Sequence, residues 1–343
     1  MNTVDIILVG LGNLGRRLLE ILERKEGQLA RDYALQVRVV AAADSRGAAL
    51  HPDGLPLTEV IATKRAGRSV GELPGAGRPG MLALDVVRTT PAHALVEASP
   101  TNLQHGEPGL SCIREALSRG MHVVTTNKGP LVLAYQELTA LAARQGVQMR
   151  FCGTVAGGLP ALNIGRRDLA GATVHHLEAC PNFSSNFVLF RMLDGASYDE
   201  AIAIAQQGGI LEADPSLDVE GWDAANKLVI LCNHVLRVPA TLEDVRVEGI
   251  THLTRDDLLA AQAAGEAVLL VAEAQRRPDG TYDLQVLPKR LPADHPLARL
   301  RQNEAAVVYH TDIYGTVTGI IHEPDPTPSA ASMLRDLLDI FGG

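Results

Sequence analysis

The chain opens with VDIILVGLGNLGRRLLEIL, and this segment restricts the fold more than any other. Val4 to Val9 is an apolar run of strand length. Gly10, Gly12 and Gly15 follow as G-x-G-x-x-G, with Asn13 and Leu14 between the last two. Leu14, Leu18, Leu19 and Leu22 then recur at helical spacing. Strand, glycine turn and helix in this order are the start of a dinucleotide-binding βαβ unit. Gly10 permits the tight turn, Gly12 lets backbone approach a pyrophosphate, and Gly15 lets helix and strand pack closely. The helix N-terminus offers free N–H groups and the positive end of its dipole to the phosphates.

The expected second strand, residues 36–43, ends at Asp44, with Arg46 two residues on. An acid at this place binds the ribose of NAD, whereas an arginine accepts the 2′-phosphate of NADP. The pair leaves NAD and NADP open. Residues 45–80 are rich in Gly, Pro and Arg and read as a loop with a short helix around 57–63. Strands are expected at 84–87, 94–97 and 122–126, with a helix at 112–118, which together make a parallel sheet. Ligands of such sheets lie at the carboxyl ends of the strands, which places Thr125, Thr126, Asn127 and Lys128 in the cofactor crevice.

At 343 residues the chain has room for two domains. Its 31 basic and 40 acidic residues give a net charge of −9, which argues against a nucleic-acid or anionic-membrane surface. No apolar run is long enough to span a membrane. Cys112, Cys152, Cys180 and Cys232 share no metal-ligand spacing and read as free thiols of a cytoplasmic protein.

The second half carries FCGTVAGGLPAL, a glycine-rich turn leading into a helix, then a strand at 175–179 and helices at 186–193 and 197–206. EADPSLDVEGWDAANKL crowds Glu212, Asp214, Asp218, Glu220 and Asp223 ahead of Lys227. A helix over 223–235 puts Asp223 and Lys227 one turn apart on one side. An ordinary surface pair at that spacing adds only ~0.3–0.5 kcal/mol. The density of acids around it suggests a site for a charged small molecule instead.

G-x-G-x-x-G at the start, TTNK at 125–128, GTVAGGLP at 153–160 and EADPSLDVEGWDAANKL at 212–228 together resemble the homoserine dehydrogenases, from residue 4 to about residue 340. The resemblance is to the short form without a C-terminal regulatory domain. It implies an α/β fold: a Rossmann-type dinucleotide-binding domain over 1–150, with the C-terminal segment 319–343 packing back on it, and a second, mixed α/β catalytic and dimerisation domain over 151–318. It implies NAD(P)-dependent interconversion of aspartate-4-semialdehyde and homoserine, within threonine and methionine biosynthesis, by a homodimer. Lys128, Glu212, Asp218, Asp223 and Lys227 would then line the substrate site, together with Asn182 and Ser184. A carboxylate can hold the substrate ammonium, and a lysine can pass a proton to the developing alkoxide.

The chain departs from the family pattern at three places. Phe183 stands where the family has a glycine. Cys152 stands where it has a glutamate that helps bind a monovalent cation, which leaves the carbonyls of Val155 and Gly157 as ligands. A glycine-rich loop before the last helix reads Gly319-Ile320-Ile321-His322-Glu323. Two other readings follow: a dehydrogenase of the same fold acting on another amino or hydroxy acid, and a cofactor-binding protein without turnover.

Overall fold

The computed structural model describes residues 1–211 and 214–342. The chain forms two compact units, one comprising Met1–Thr154 with the segment from Asp325, the other Val155–Pro324.

The first unit holds a seven-stranded sheet. Its strands are β1 (Asn2–Val9), β2 (Leu35–Asp44), β3 (Gly47–Leu50), β4 (Gly77–Pro79), β5 (Ala94–Glu97), β6 (His122–Thr125) and β7 (Met149–Arg150), in the spatial order β4-β3-β2-β1-β5-β6-β7. The strand β1 pairs in parallel with β2 on one side and β5 on the other. The direction in which strands are added to the sheet therefore reverses between β1 and β5, which makes the crevice at their carboxyl ends the ligand position of an open α/β sheet. The helices are α1 (Asn13–Tyr33), α2 (Leu57–Arg65), α3 (Ala83–Thr89), α4 (Gly109–Ser118) and α5 (Lys128–Gln145). Near-continuous burial of Ile6 to Val9 marks a strand covered on both faces.

Two expectations are corrected here. The sheet is not wholly parallel, because the presumed loop after Asp44 folds back: β3 pairs antiparallel with β2, and β4 antiparallel with β3. Residues 84–87 lie in the helix α3, not in a strand. Four apolar-rich residues fit either period, and here Val86 and Val87 are buried on the side of a helix.

The second unit is built on a six-stranded sheet. Its strands are β8 (Val174–Cys180), β9 (Val245–Val247), β10 (Glu266–Arg276), β11 (Tyr282–Pro292), β12 (Glu304–Thr311) and β13 (Thr316–His322), in the order β13-β12-β8-β10-β11-β9. All ladders are antiparallel except β11 with β9. The helices are α6 (Ala161–Asn163), which continues as a wider turn over Ile164–Asp168, then α7 (Ser184–Leu193), α8 (Tyr198–Gln207), α9 (Ser216–Val219), α10 (Trp222–Leu231) and α11 (Arg255–Ala263). The helix α10 buries Ala224, Ala225, Leu228, Val229, Ile230 and Leu231, so apart from its polar first turns it is a core helix. Tyr309 is fully buried, and its hydroxyl donates to the carbonyl of Ala161 at 2.8 Å.

After Pro324 the chain returns to the first unit. There α12 (Thr327–Phe341) lays Ala330, Met333 and Leu337 into the core formed by Leu18, Leu19, Leu22 and the β1 side chains. Residues 319–322, expected with this returning segment, belong to β13 of the second unit. No helix among the described residues is long and apolar enough to cross a membrane. The four cysteines are buried, and none is in a disulfide. Burial pushes the thiols of Cys112, Cys180 and Cys232 up to about 12.

Candidate active site

In the first unit, the glycine turn after β1 sits at the sheet's reversal point. Gly10 has φ +91°, and a Cβ there would lie 2.3 Å from the backbone of Ala98, at the end of β5. A Cβ on Gly15 would lie 1.9 Å from the carbonyl oxygen of Gly10. At Gly12, in contrast, a Cβ would meet nothing within 4 Å. Gly12 caps α1, with no side-chain cap and no acid in the first turn. The N-terminus of α1, with Asn13 and Leu14 in its first turn, therefore fits an anionic group such as a pyrophosphate.

The next strand ends form a polar knot that sequence reasoning passed over. Glu97 is fully buried at the end of β5. It accepts from the Ser99 N–H at 2.8 Å, from the Ser99 hydroxyl, and from Thr125 Oγ1 at 3.0 Å. Burial raises its carboxyl above the usual range despite these donors. Thr126 donates its N–H to the Glu97 carbonyl at 3.1 Å. Asn127 caps α5 through Oδ1, which accepts from Gly129 N–H at 3.0 Å, and its side chain is buried. Lys128 is the first residue of α5 and is half-buried. The signal for Glu97 in the sequence was an acid closing a buried strand.

Asp44 is placed at the end of β2 with both carboxylate oxygens engaged. Lys64 Nζ lies 2.6 Å from Oδ2, Val70 N–H donates at 3.0 Å, Ser69 Oγ at 2.8 Å and Arg46 N–H at 2.9 Å. Burial raises its carboxyl, but these donors outweigh it and hold the group below the usual range. The Arg46 guanidinium turns to the carbonyl of Gly67 at 2.7 Å.

In the second unit, α10 points its first two turns at the end of β8. Lys227 Nζ lies 3.0 Å from Asp223 Oδ2, 3.0 Å from the Pro181 carbonyl and 2.9 Å from Asn182 Oδ1. Asn182 Nδ2 in turn donates to Asp223 Oδ2 at 2.6 Å. Three acceptors around one nitrogen suit the donors of an ammonium group. Beside this triangle, the Ser184 hydroxyl donates to the Asp218 carboxylate, and Ser185 Oγ donates to the Asp218 carbonyl at 2.7 Å. The structure thus gathers Asn182, Ser184, Asp218, Asp223 and Lys227. Glu212, expected with them, lies outside the described residues. Pro181 and Ser185 were missed: one acts through its backbone carbonyl and the other through a hydroxyl.

Phe183 precedes α7 with φ −83° and is half-buried, a backbone conformation open to any residue. Cys152 Sγ lies 3.1 Å from the Arg335 guanidinium, and its N–H donates to Asp336 at 2.8 Å. In the second unit, the Glu323 carboxylate accepts from Gly158 N–H at 3.0 Å, next to Val155 and Gly157.

A dinucleotide-binding unit and a second unit carrying a lysine held by carboxylate and amide define a nicotinamide-dependent dehydrogenase. The NAD-binding domain model of homoserine dehydrogenase matches residues 10–152, and the homoserine dehydrogenase model matches residues 160–338. A homoserine dehydrogenase of Methanocaldococcus jannaschii is 34% identical over 98% of this chain and 98% of its own. An NAD(+)-dependent homoserine dehydrogenase of Pseudomonas canavaninivorans is 34% identical over 99% of this chain and 97% of its own. The structure of a hyperthermophilic archaeal homoserine dehydrogenase in complex with NADPH has TM-score 0.85 and 26% identity, covering 99% of this chain and 98% of that one. The chain belongs to the homoserine dehydrogenase family of NAD(P)-dependent oxidoreductases.

Proposed function

We propose that the chain interconverts aspartate-4-semialdehyde and homoserine, with Lys227 as the proton-transfer group. The observation that carries this reading is the Lys227 ammonium held among Asp223, Asn182 and the Pro181 carbonyl. NAD(P), when bound, supplies or accepts the hydride. In the reducing direction the aldehyde oxygen gains negative charge as the hydride arrives, and Lys227 donates a proton to it. Asp223 and Asn182 fix the direction of the lysine and balance its charge before and after transfer. Asp218, braced by Ser184, is assigned to the substrate ammonium, and Glu212 shares that role. Lys128 is assigned to the substrate from the carboxyl end of β6.

The cofactor is assigned to Gly10, Gly12, Asn13, Leu14 and Gly15 at the pyrophosphate, with Asp44 and Arg46 towards the ribose and Thr126 and Asn127 further along the strand ends. What supports the pyrophosphate position is the uncapped α1 and the open space over Gly12. For a monovalent cation, the second unit offers the carbonyls of Val155 and Gly157. The glutamate of the family pattern is replaced by Cys152, whose sulfur faces a guanidinium. That donor set is weak, and the proton and hydride steps are assigned without a cation.

The working form is proposed to be a cytoplasmic homodimer acting on a small molecule, with neither nucleic acid nor membrane as partner. The four buried thiols, none in a disulfide, and the net charge of −9 support this setting. The test is NADPH and NADH oxidation with aspartate-4-semialdehyde, run beside a panel of other amino and hydroxy aldehydes. Turnover only with a different aldehyde, or binding of cofactor without turnover, would overturn the reading.

A further inference from the structure

On the second unit's sheet, three neighbouring strands bring imidazole and carboxylate groups to one face. His176 and Glu178 are two apart on β8, so they share a face. His310 on β12 pairs directly with His176, and Glu273 on β10 pairs directly with Glu178. The Glu178 side chain is only 4% exposed, while those of His176 and His310 are 22% and 33% exposed. Glu178 Oε2 lies 3.2 Å from His310 Nε2 and 3.8 Å from His176 Nδ1. The two rings stack with centroids 5.2 Å apart and planes 17° from parallel.

The hydrogen-bond partners place a proton on two of the three rings. His176 gives its Nε2–H to the Glu273 carboxylate, which leaves a lone pair on Nδ1. Glu273 is itself fixed by Gln285 at 2.6 Å and by the Lys289 ammonium. His310 Nδ1 lies 3.1 Å from Thr316 Oγ1, a hydroxyl that can donate to it or accept from it, so Nε2 can carry either the proton or the lone pair. His295 accepts the Leu297 N–H on Nδ1, which puts its own proton on Nε2, 3.2 Å from Glu178 Oε2. His295 therefore donates to the carboxylate, and His176 turns its Nδ1 and His310 its Nε2 towards the same oxygen. A cation among these three atoms, a proton or a metal ion, would balance the buried carboxylate.

We propose that His176 Nδ1, Glu178 Oε2 and His310 Nε2 bind one divalent transition-metal ion of the zinc, cobalt or nickel type. Two imidazoles and one carboxylate form a borderline donor set that selects such ions over magnesium or calcium. At bond lengths of about 2.0–2.2 Å, ligand atoms in a tetrahedron stand roughly 3.3 Å apart. The measured 3.2 and 3.8 Å fall on either side of that spacing, and the three donor atoms all lie within 4.8 Å of one another. Glu273 and Thr316 each hold one imidazole by its other nitrogen, which is the outer support that metal-bound histidines use, and His295 contacts the proposed ligand oxygen of Glu178 itself. The ion would tie β8 to β12 and leave a fourth position to solvent.

The experiment titrates the full chain, first stripped with chelator, with Zn²⁺ by calorimetry, and with Co²⁺ by visible absorption. One Zn²⁺ per chain is expected, with a cobalt d–d spectrum of low coordination number and a raised melting temperature. His176→Ala and His310→Ala should each weaken binding by tenfold or more. Glu273→Gln, which keeps all three ligands, should weaken it about 10–100-fold. His252→Ala, an exposed histidine paired with Glu248, should leave it unchanged. Absence of stoichiometric binding overturns the proposal, as does binding that survives the double His176→Ala/His310→Ala variant. Melting that ignores Zn²⁺ but rises as the histidines protonate shows that a proton, not a metal, fills the cluster.

Discussion

A methyl group on Gly15 would press to 1.9 Å from the carbonyl oxygen of Gly10, whereas the same group on Gly12 would stand in open space. Two glycines three residues apart are therefore required for different reasons. Gly15→Ala should destabilise the protein by about 1–3 kcal/mol or more, because backbone has to move. Gly12→Ala should change stability by no more than about 0.5 kcal/mol and should raise the KM for NAD(P)H instead. Melting curves and cofactor KM on both variants decide this; equal losses of stability would contradict it.

Lys227→Met should lower kcat by on the order of 10² to 10⁴ with the chain still folded. Asp223→Asn should fall between that variant and wild type, since it loosens the lysine without removing it. Lys128→Met should also be severely impaired. Full turnover by both lysine variants, with unchanged melting, would remove these residues from the mechanism.

Cofactor choice follows from Asp44. Its charge is already matched by Lys64 at 2.6 Å, with side chains only 7% and 14% exposed. A neutralised acid repels a 2′-phosphate weakly, and Arg46 stands nearby to attract one. The expected kcat/KM values for NADH and NADPH are within about tenfold of each other. A hundredfold preference for NADH would show that Asp44 acts on the ribose as a free carboxylate.

Asp336 on α12 sets a pH dependence. Burial pushes its carboxyl up to about 7; Oδ2 accepts from Cys152, and Oδ1 has no hydrogen-bond partner. The folded chain keeps this proton to about pH 7, while the unfolded chain releases it near pH 4. The folded state therefore binds more protons in that window, and stability falls as pH rises from about 4 to 7. The total is at most about 4 kcal/mol. Asp336→Asn should remove this slope, so its advantage over wild type should grow between pH 5 and pH 8 in denaturant titrations. A gap that does not change with pH would show that Asp336 is ionised throughout.

What could be read in the sequence was local. Gly10 and Gly15 are legible because a backbone constraint leaves only one residue type. Asp223 and Lys227 are legible because one helical turn separates them. The partners of Asp44 were not, since Lys64, Ser69 and Val70 are 20, 25 and 26 residues away and meet it only after β3 and β4 fold back. Glu178 and its histidines are further still: His295 and His310 lie 117 and 132 residues from it. The polar triangle around Lys227 depended on Pro181, whose contribution is a carbonyl that every residue type carries.

The return of α12 to the first unit has a consequence for how the protein is made. The sheet-forming part of that unit ends at Thr154, and its closing helix follows only after Asp325, about 170 residues later. At ~5–20 residues per second, a ribosome needs roughly 10–30 s to supply it. Throughout that interval Leu18, Leu19 and Leu22 wait without Met333 and Leu337. The second unit is continuous, so it can complete its own fold first. A nascent chain is then expected to finish in the reverse of its reading order, with the dinucleotide-binding unit sealed last.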